Sequence, residues 1–112
     1  MKKIEAIIRQ EKLEGVKKAL EANSYFGMTV SEVSGRGRQN GITLQWQAGE
    51  YRVDLLPKVR LEVLSKETET EKIANTIIDA SRTGKIGDGK LWIQPVEQAV
   101  RIRTGEIGDE AI

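Results

Sequence analysis

The sequence predicts an α+β domain of the ferredoxin-like type, a split βαβ arrangement running strand, helix, strand, strand, helix, strand. Three observations predict it. Four stretches alternate apolar and polar residues with the period of a strand. Two others repeat apolar residues every three or four positions, as a helix does. The 112 residues fit one compact domain, in which two helices cover only one face of a four-stranded antiparallel sheet. A long excursion separates the second and third of these strands.

Ile4, Ala6 and Ile8 alternate with Lys3, Glu5 and Ile7 and form the first strand. Glu11 to Asn23 reads as a helix, with Leu13, Val16 and Leu20 on one face. Glu11 and Glu14 stand near its start and Lys17 and Lys18 further along, the order that the helix dipole favours. Met28 to Val33 is β-branched and alternating, a second strand. Gly35 to Gly41 breaks regular structure. Ile42–Trp46 and Glu50–Leu55 read as strand-like arms of the excursion, with Gln47-Ala48-Gly49 at its tip. Long loops in small domains are usually functional.

Lys58 to Leu64 is the clearest strand, with Val59, Leu61 and Val63 facing one way. Thr68 and Glu71 have the spacing of a capping box. The helix beyond them carries Ile73, Ile77 and Ala80, with Ile78 alongside. Leu91–Gln94 is the next strand, and Pro95 ends it or places it at an edge. Ala99 to Arg103 alternates again, so an extended chain would project Arg101 and Arg103 to one side. A polar tail with a weakly helical end follows. Ile7, Val33 and Leu64 add apolar groups to the uncovered sheet face, which suggests self-association.

Composition limits the chemistry. The chain has no cysteine and no histidine. Disulfides and thiolate chemistry are excluded, and so are the commonest general base and metal ligand. A metal here must be a hard ion on oxygen ligands, with magnesium the natural choice. Eighteen basic residues against seventeen acidic ones argue against a general nucleic-acid binder. The N-terminal apolar run is too short for a signal peptide, and nothing later in the chain could insert in a membrane. A cytoplasmic protein is expected.

The chemistry concentrates in Arg82-Thr-Gly-Lys-Ile-Gly-Asp-Gly-Lys90. Gly84, Gly87 and Gly89 let the backbone turn tightly and aim N–H groups at one point, and Lys90 adds a positive charge. Gly84 to Lys90 follows the P-loop spacing as far as its lysine. Leu91 then stands where that motif has a magnesium-binding hydroxyl, and the run lies between a helix and a strand instead of the reverse. The reading is a phosphate cradle outside the ordinary NTPase design. Arg101 and Arg103, with the glycine-lysine loop before them, make a candidate polyanion clamp. Gly35 to Arg38 is a third phosphate element. Gln39 is a candidate oxygen donor to magnesium, and Lys58 a candidate partner for an acidic ligand.

The chain resembles the PII signalling proteins, the GlnB/GlnK group of nitrogen regulators, over nearly its whole length. The resemblance is carried by Lys2-Lys-Ile-Glu-Ala-Ile-Ile-Arg9, Gly27-Met-Thr-Val-Ser-Glu-Val33, Gly37-Arg-Gln39, the run Arg82 to Lys90, and Pro95 to Glu106. It implies one domain over residues 1–112, with a T-loop at about 37–55, a B-loop at about 82–90 and a C-terminal segment at about 99–112. It implies a non-enzymatic regulator, a homotrimer with ATP or ADP in each cleft between subunits. Gly35, Gly37, Gly87, Asp88, Gly89 and Lys90 would surround the nucleotide, with Arg38, Arg101 and Arg103 reaching its phosphates and Thr29, Glu62 and Leu64 on the adenine side. Gln39 would hold magnesium together with ligand oxygens, next to 2-oxoglutarate bound by Gln39, Gly41 and Lys58. The T-loop would control an ammonium transporter, a regulatory enzyme or a transcription regulator. Tyr51 is the modification candidate.

The T-loop departs from the family. Trp46-Gln-Ala-Gly-Glu-Tyr51 stands where the family usually reads Tyr-Arg-Gly-Ser/Ala-Glu-Tyr. Gly49 removes the serine that relatives phosphorylate, Gln47 replaces the arginine used on ammonium transporters, and Arg36 replaces a common phenylalanine. The alternative these changes suggest is an adenine-nucleotide sensor that ignores 2-oxoglutarate and controls a different partner.

Overall fold

The computed structural model describes residues 1–37 and 55–112 in full, and the two strands 42–46 and 49–53 by their backbone. The elements are β1 (Lys2–Ile8), α1 (Leu13–Ala22), β2 (Thr29–Gly35), β3 (Ile42–Trp46), β4 (Gly49–Val53), β5 (Leu56–Ser65), α2 (Thr70–Ser81) and β6 (Lys90–Pro95). Short 3-10 turns precede both helices, at Gln10–Lys12 and Glu67–Glu69, and a third lies at Gly108–Ala111. The main sheet has the order β2-β5-β1-β6 and all its pairings are antiparallel. With α1 and α2 this is the expected ferredoxin-like fold. The excursion forms its own two-stranded sheet, with Ile42 opposite Val53 and Trp46 opposite Gly49.

Register explains the two faces. Directly opposed residues of antiparallel strands share a face. Ile4 lies opposite Val63 and Ile93, and Ala6 opposite Leu61 and Leu91. Ile4, Ala6, Ile8, Val59, Leu61 and Val63 are buried against Val16 and Leu20 of α1 and Ile73, Ala74 and Ile77 of α2. Each of the Ile, Leu and Val side chains among them stabilises the fold by roughly 1.5–3 kcal/mol relative to exposure. On the other face, Ile7 lies opposite Arg60 and Lys90, Val33 opposite Lys58, Leu64 opposite Lys3, and Trp92 opposite Glu5. Neither helix covers this face, as the period-two reading expects.

Two local readings need correction. The capping box at Thr68 and Glu71 does not form. The chain begins turning one residue earlier, at Glu67, and α2 starts at Thr70 with no side-chain cap. The Thr70 hydroxyl ties the entry instead, donating to the Lys66 carbonyl (2.9 Å) and sharing a hydrogen bond with buried Ser65 (2.7 Å). Nor is Ala99–Arg103 a strand. Val100 bridges Ile107, and the Arg101 N–H donates to the Glu106 carbonyl at 2.8 Å. Gly105, at φ 75°, takes the left-handed conformation that closes this turn and returns its N–H to the Arg101 carbonyl at 2.7 Å. Alternation along the sequence therefore does not put Arg101 and Arg103 on one side of an extended chain. The α1 end agrees with its reading. Asn23 caps it, its amide donating to the Ala19 carbonyl at 2.9 Å.

Candidate functional site

The glycine-rich run leaves α2 at Arg82 and enters edge strand β6 at Lys90. Gly84, Gly87 and Gly89 take φ values of 85°, 106° and 95°, in the left-handed region where a side chain is strained. Gly89 is constrained by space as well. A Cβ built there would lie 1.7 Å from the Ile7 carbonyl oxygen. The loop thus rests directly on the end of β1, and only glycine permits that approach.

Asp88 organises the loop from within. Its carboxylate accepts the N–H groups of Thr83 (2.8 Å) and Gly84 (2.9 Å), the Thr83 hydroxyl, and Arg9 Nε (3.0 Å). The Thr83 hydrogen bonds, followed by the Arg9 and Gly84 contacts, hold its carboxyl well below the usual carboxylate range. Arg9 also donates through Nη2 to the Ile86 carbonyl at 2.7 Å. Lys58 donates to the Gly87 carbonyl at 2.8 Å. Partial burial, with the Arg9 charge nearby, lowers the Lys58 ammonium from its ordinary value.

Between this loop, the end of β2 and the start of β5 lies a cleft of about 630 Å³. Its lining brings together the candidate residues Gly35, Gly37, Lys58, Gly87, Asp88, Gly89 and Lys90, along with Ile7, Arg36, Leu56, Lys85, Ile86 and Trp92. The volume falls in the ordinary range for a small-molecule site. Four basic residues, Arg36, Lys58, Lys85 and Lys90, and the tight glycine turns fit a polyphosphate. Asp88 is the acidic member of the lining, and Arg9 neutralises it at 3.0 Å.

The comparisons with known proteins agree with one another. The profile of the family described as nitrogen regulatory protein P-II matches residues 1–106. The chain belongs to the P-II family. A nitrogen regulatory protein P-II 2 of Methanothermobacter thermautotrophicus is 53% identical over all 112 residues, spanning 97% of that relative. Proteins named nitrogen regulatory protein P-II from Cereibacter sphaeroides and Microchaete diplosiphon are 54% and 52% identical over the full length of both chains. Membership makes this chain a signalling regulator and not an enzyme. Among the described residues no helix is long and apolar enough to cross a membrane.

Within this P-II chain the other candidate residues divide into three groups. Thr29 and Glu62 are paired neighbours on the open sheet face, with Leu64 two positions along the same strand face. They do not line the cleft, and neither do Arg101 and Arg103. Arg101 is held in its own turn by Glu106, at 3.2 Å from Nη1, and donates to the terminal Ile112 carbonyl at 3.4 Å. Arg38, Gln39 and Gly41 lie outside the described residues, as do the tip residues Gln47 and Ala48 and the side chain of Tyr51. Arg9 and Thr83, whose side chains hold Asp88, are ones the sequence reading did not single out. Arg9 directly follows β1, and nothing in its local pattern points 79 residues ahead to Asp88.

Proposed function

We propose that this P-II chain is a cytoplasmic regulator that binds ATP or ADP on the glycine loop and 2-oxoglutarate with MgATP, and that these ligands reset the arm between β2 and β5 for its targets in nitrogen metabolism. The observation that carries the reading is the pre-shaped loop. The left-handed glycines Gly87 and Gly89, Lys90 at its exit and Lys58 on its Gly87 carbonyl border a cleft of nucleotide-compatible size. A helix-terminus or loop array of N–H groups with adjacent cations is a general anion site.

In this reading the units are one domain over 1–112, a T-loop at about 37–55, a B-loop at about 82–90 and a C-terminal segment at about 99–112. The active form is a homotrimer. The uncovered sheet face, with Ile7, Val33, Leu64 and Trp92, supports burial against other copies. So do Val100, Ile102 and Ile107, exposed on the turn that carries Arg101 and Arg103. Across such a boundary those arginines would reach the phosphates, with Arg38, while Thr29, Glu62 and Leu64 would face the adenine. When bound, ATP and 2-oxoglutarate would supply most of magnesium's oxygen ligands, with Gln39 from the chain and Lys58 on the distal carboxylate. Ligand occupancy would then shift the loop population that an ammonium transporter, enzyme or transcription regulator recognises. Tyr51 would be the modified residue.

Titration calorimetry tests this directly. ATP heat without added 2-oxoglutarate, and 2-oxoglutarate heat only once MgATP is present, is the expected result. No nucleotide heat at millimolar ligand overturns the proposal. The departures at Trp46, Gln47 and Gly49 favour one second reading, a sensor of ATP against ADP alone. Nucleotide binding with no 2-oxoglutarate heat selects it.

A further inference from the structure

We infer that Arg9 is the positioning residue of the glycine loop, the side chain that holds Gly84–Lys90 in its ligand-ready shape without itself being part of the phosphate cradle. The inference rests on the proposed nucleotide role of that loop, but its geometry stands apart from it. Arg9 follows the last residue of β1 and is fixed on both sides. Its carbonyl accepts the Lys12 N–H at 3.1 Å, which begins the turn into α1. From that rigid base one guanidinium spans two points of the loop, the Asp88 carboxylate at 3.0 Å and the Ile86 carbonyl at 2.7 Å. The planar fork of arginine suits two such acceptors, whereas a lysine head is a single point charge.

Asp88 in turn gathers the N–H groups of Thr83 and Gly84. Arg9 therefore acts on the first turn of the loop through Asp88 and on its middle through Ile86. The neighbouring approach of Gly89 to the Ile7 carbonyl docks the exit on the same strand end. Without Arg9 the acidic group would remain beside a site for anions with its charge unneutralised. The loop would keep its glycines and lose its template.

The test is amide exchange at Thr83 and Gly84, with MgATP calorimetry, on the full chain and on Arg9→Gln, Arg9→Lys, Asp88→Asn and the Arg9→Gln/Asp88→Asn pair. Arg9→Gln is expected to speed exchange at those two amides and to weaken MgATP by about tenfold, the scale of one lost charge-assisted contact, while exchange in α1 and β5 stays unchanged. Arg9→Lys keeps the charge and restores binding only in part. The double variant binds no more weakly than Asp88→Asn, because both act on one linkage. Unchanged loop exchange in Arg9→Gln overturns the inference, and so do additive losses in the pair. If Arg9→Gln fails to fold, the same exchange comparison on Arg9→Lys decides. If the unaltered chain takes up no MgATP, the nucleotide reading falls, and loop exchange alone still decides the role of Arg9.

Discussion

The loop from Arg82 to Lys90 and the turn from Ala99 to Glu106 use similar materials. Each sets basic side chains beside glycine at positive φ, three such residues in the loop and Gly105 in the turn, and each contains a carboxylate that pairs with an arginine. They differ in where the partners come from. Asp88 of the loop pairs with Arg9, which belongs to the opposite end of the chain, and Lys58 from the middle closes on Gly87. Arg101 pairs with Glu106, five residues away and within its own turn. The loop is shaped by the tertiary fold and presents its lysines to a cleft. The turn satisfies its own arginine and faces outward, with Ile102 98% exposed. One is shaped by partners drawn from across the chain; the other, in the proposed reading, would be drawn out of its own turn by a neighbouring subunit's bound anion.

The largest expected effect breaks the loop at its docking point. Gly89→Ala places a methyl on the Ile7 carbonyl and strains a left-handed residue. We expect a loss of about 2–4 kcal/mol in stability, read by denaturant unfolding, together with loss of nucleotide binding. Gly105→Ala in the turn has open space around its Cβ and serves as the control, since only its φ opposes it. Equal losses at the two glycines would erase the distinction between the two regions.

A smaller effect sharpens it from the other side. Glu106→Gln removes the anion that holds Arg101 in place. If Arg101 is drawn out of the turn in this way, nucleotide binds the variant about two- to fivefold more tightly, since the exposed pair is worth little more than a fraction of a kcal/mol. Calorimetry with ADP and ATP measures it, and weaker binding would mean that Glu106 positions the arginine instead of restraining it.

The smallest effect at neutral pH concerns Asp88. Its folded carboxyl lies below the unfolded value near 3.9, so the carboxylate favours the folded loop at every pH above that value. The contribution is lost only as pH falls below about 4 toward the folded value. A carbon-detected titration should therefore find Asp88 ionised after ordinary aspartates have protonated. A midpoint at or above the ordinary value would show the loop to be less tightly held than its hydrogen bonds imply.

Much of the fold was legible because its code is local. The alternation in Ile4–Ile8 and Lys58–Leu64 assigned the buried face of each strand, and the three-four spacing of Leu13, Val16 and Leu20 assigned that of α1. The glycine loop was legible too, since its residue types are unusual at that density. Reading failed where one local rule met another. Ala99–Arg103 has a strand's alternation, but Thr104-Gly105 downstream closes a turn whose bonds outweigh it. Thr68 and Glu71 have the spacing of a cap, but Ser65 and Thr70 already tie the helix entry.

Sequence alone determined the strand and helix order, the split between a covered and an open sheet face, the absence of cysteine and histidine chemistry and the glycine density of the loop. These follow from side-chain period and residue type, which short range suffices to express. Tertiary structure decided which charges meet. Arg9 reaches Asp88, and Lys58 reaches Gly87, only because the sheet order places β1 between β5 and β6 and so brings three distant segments to one strand end. A pairing made across 79 positions leaves no periodic trace, because neither partner's neighbours are altered by it.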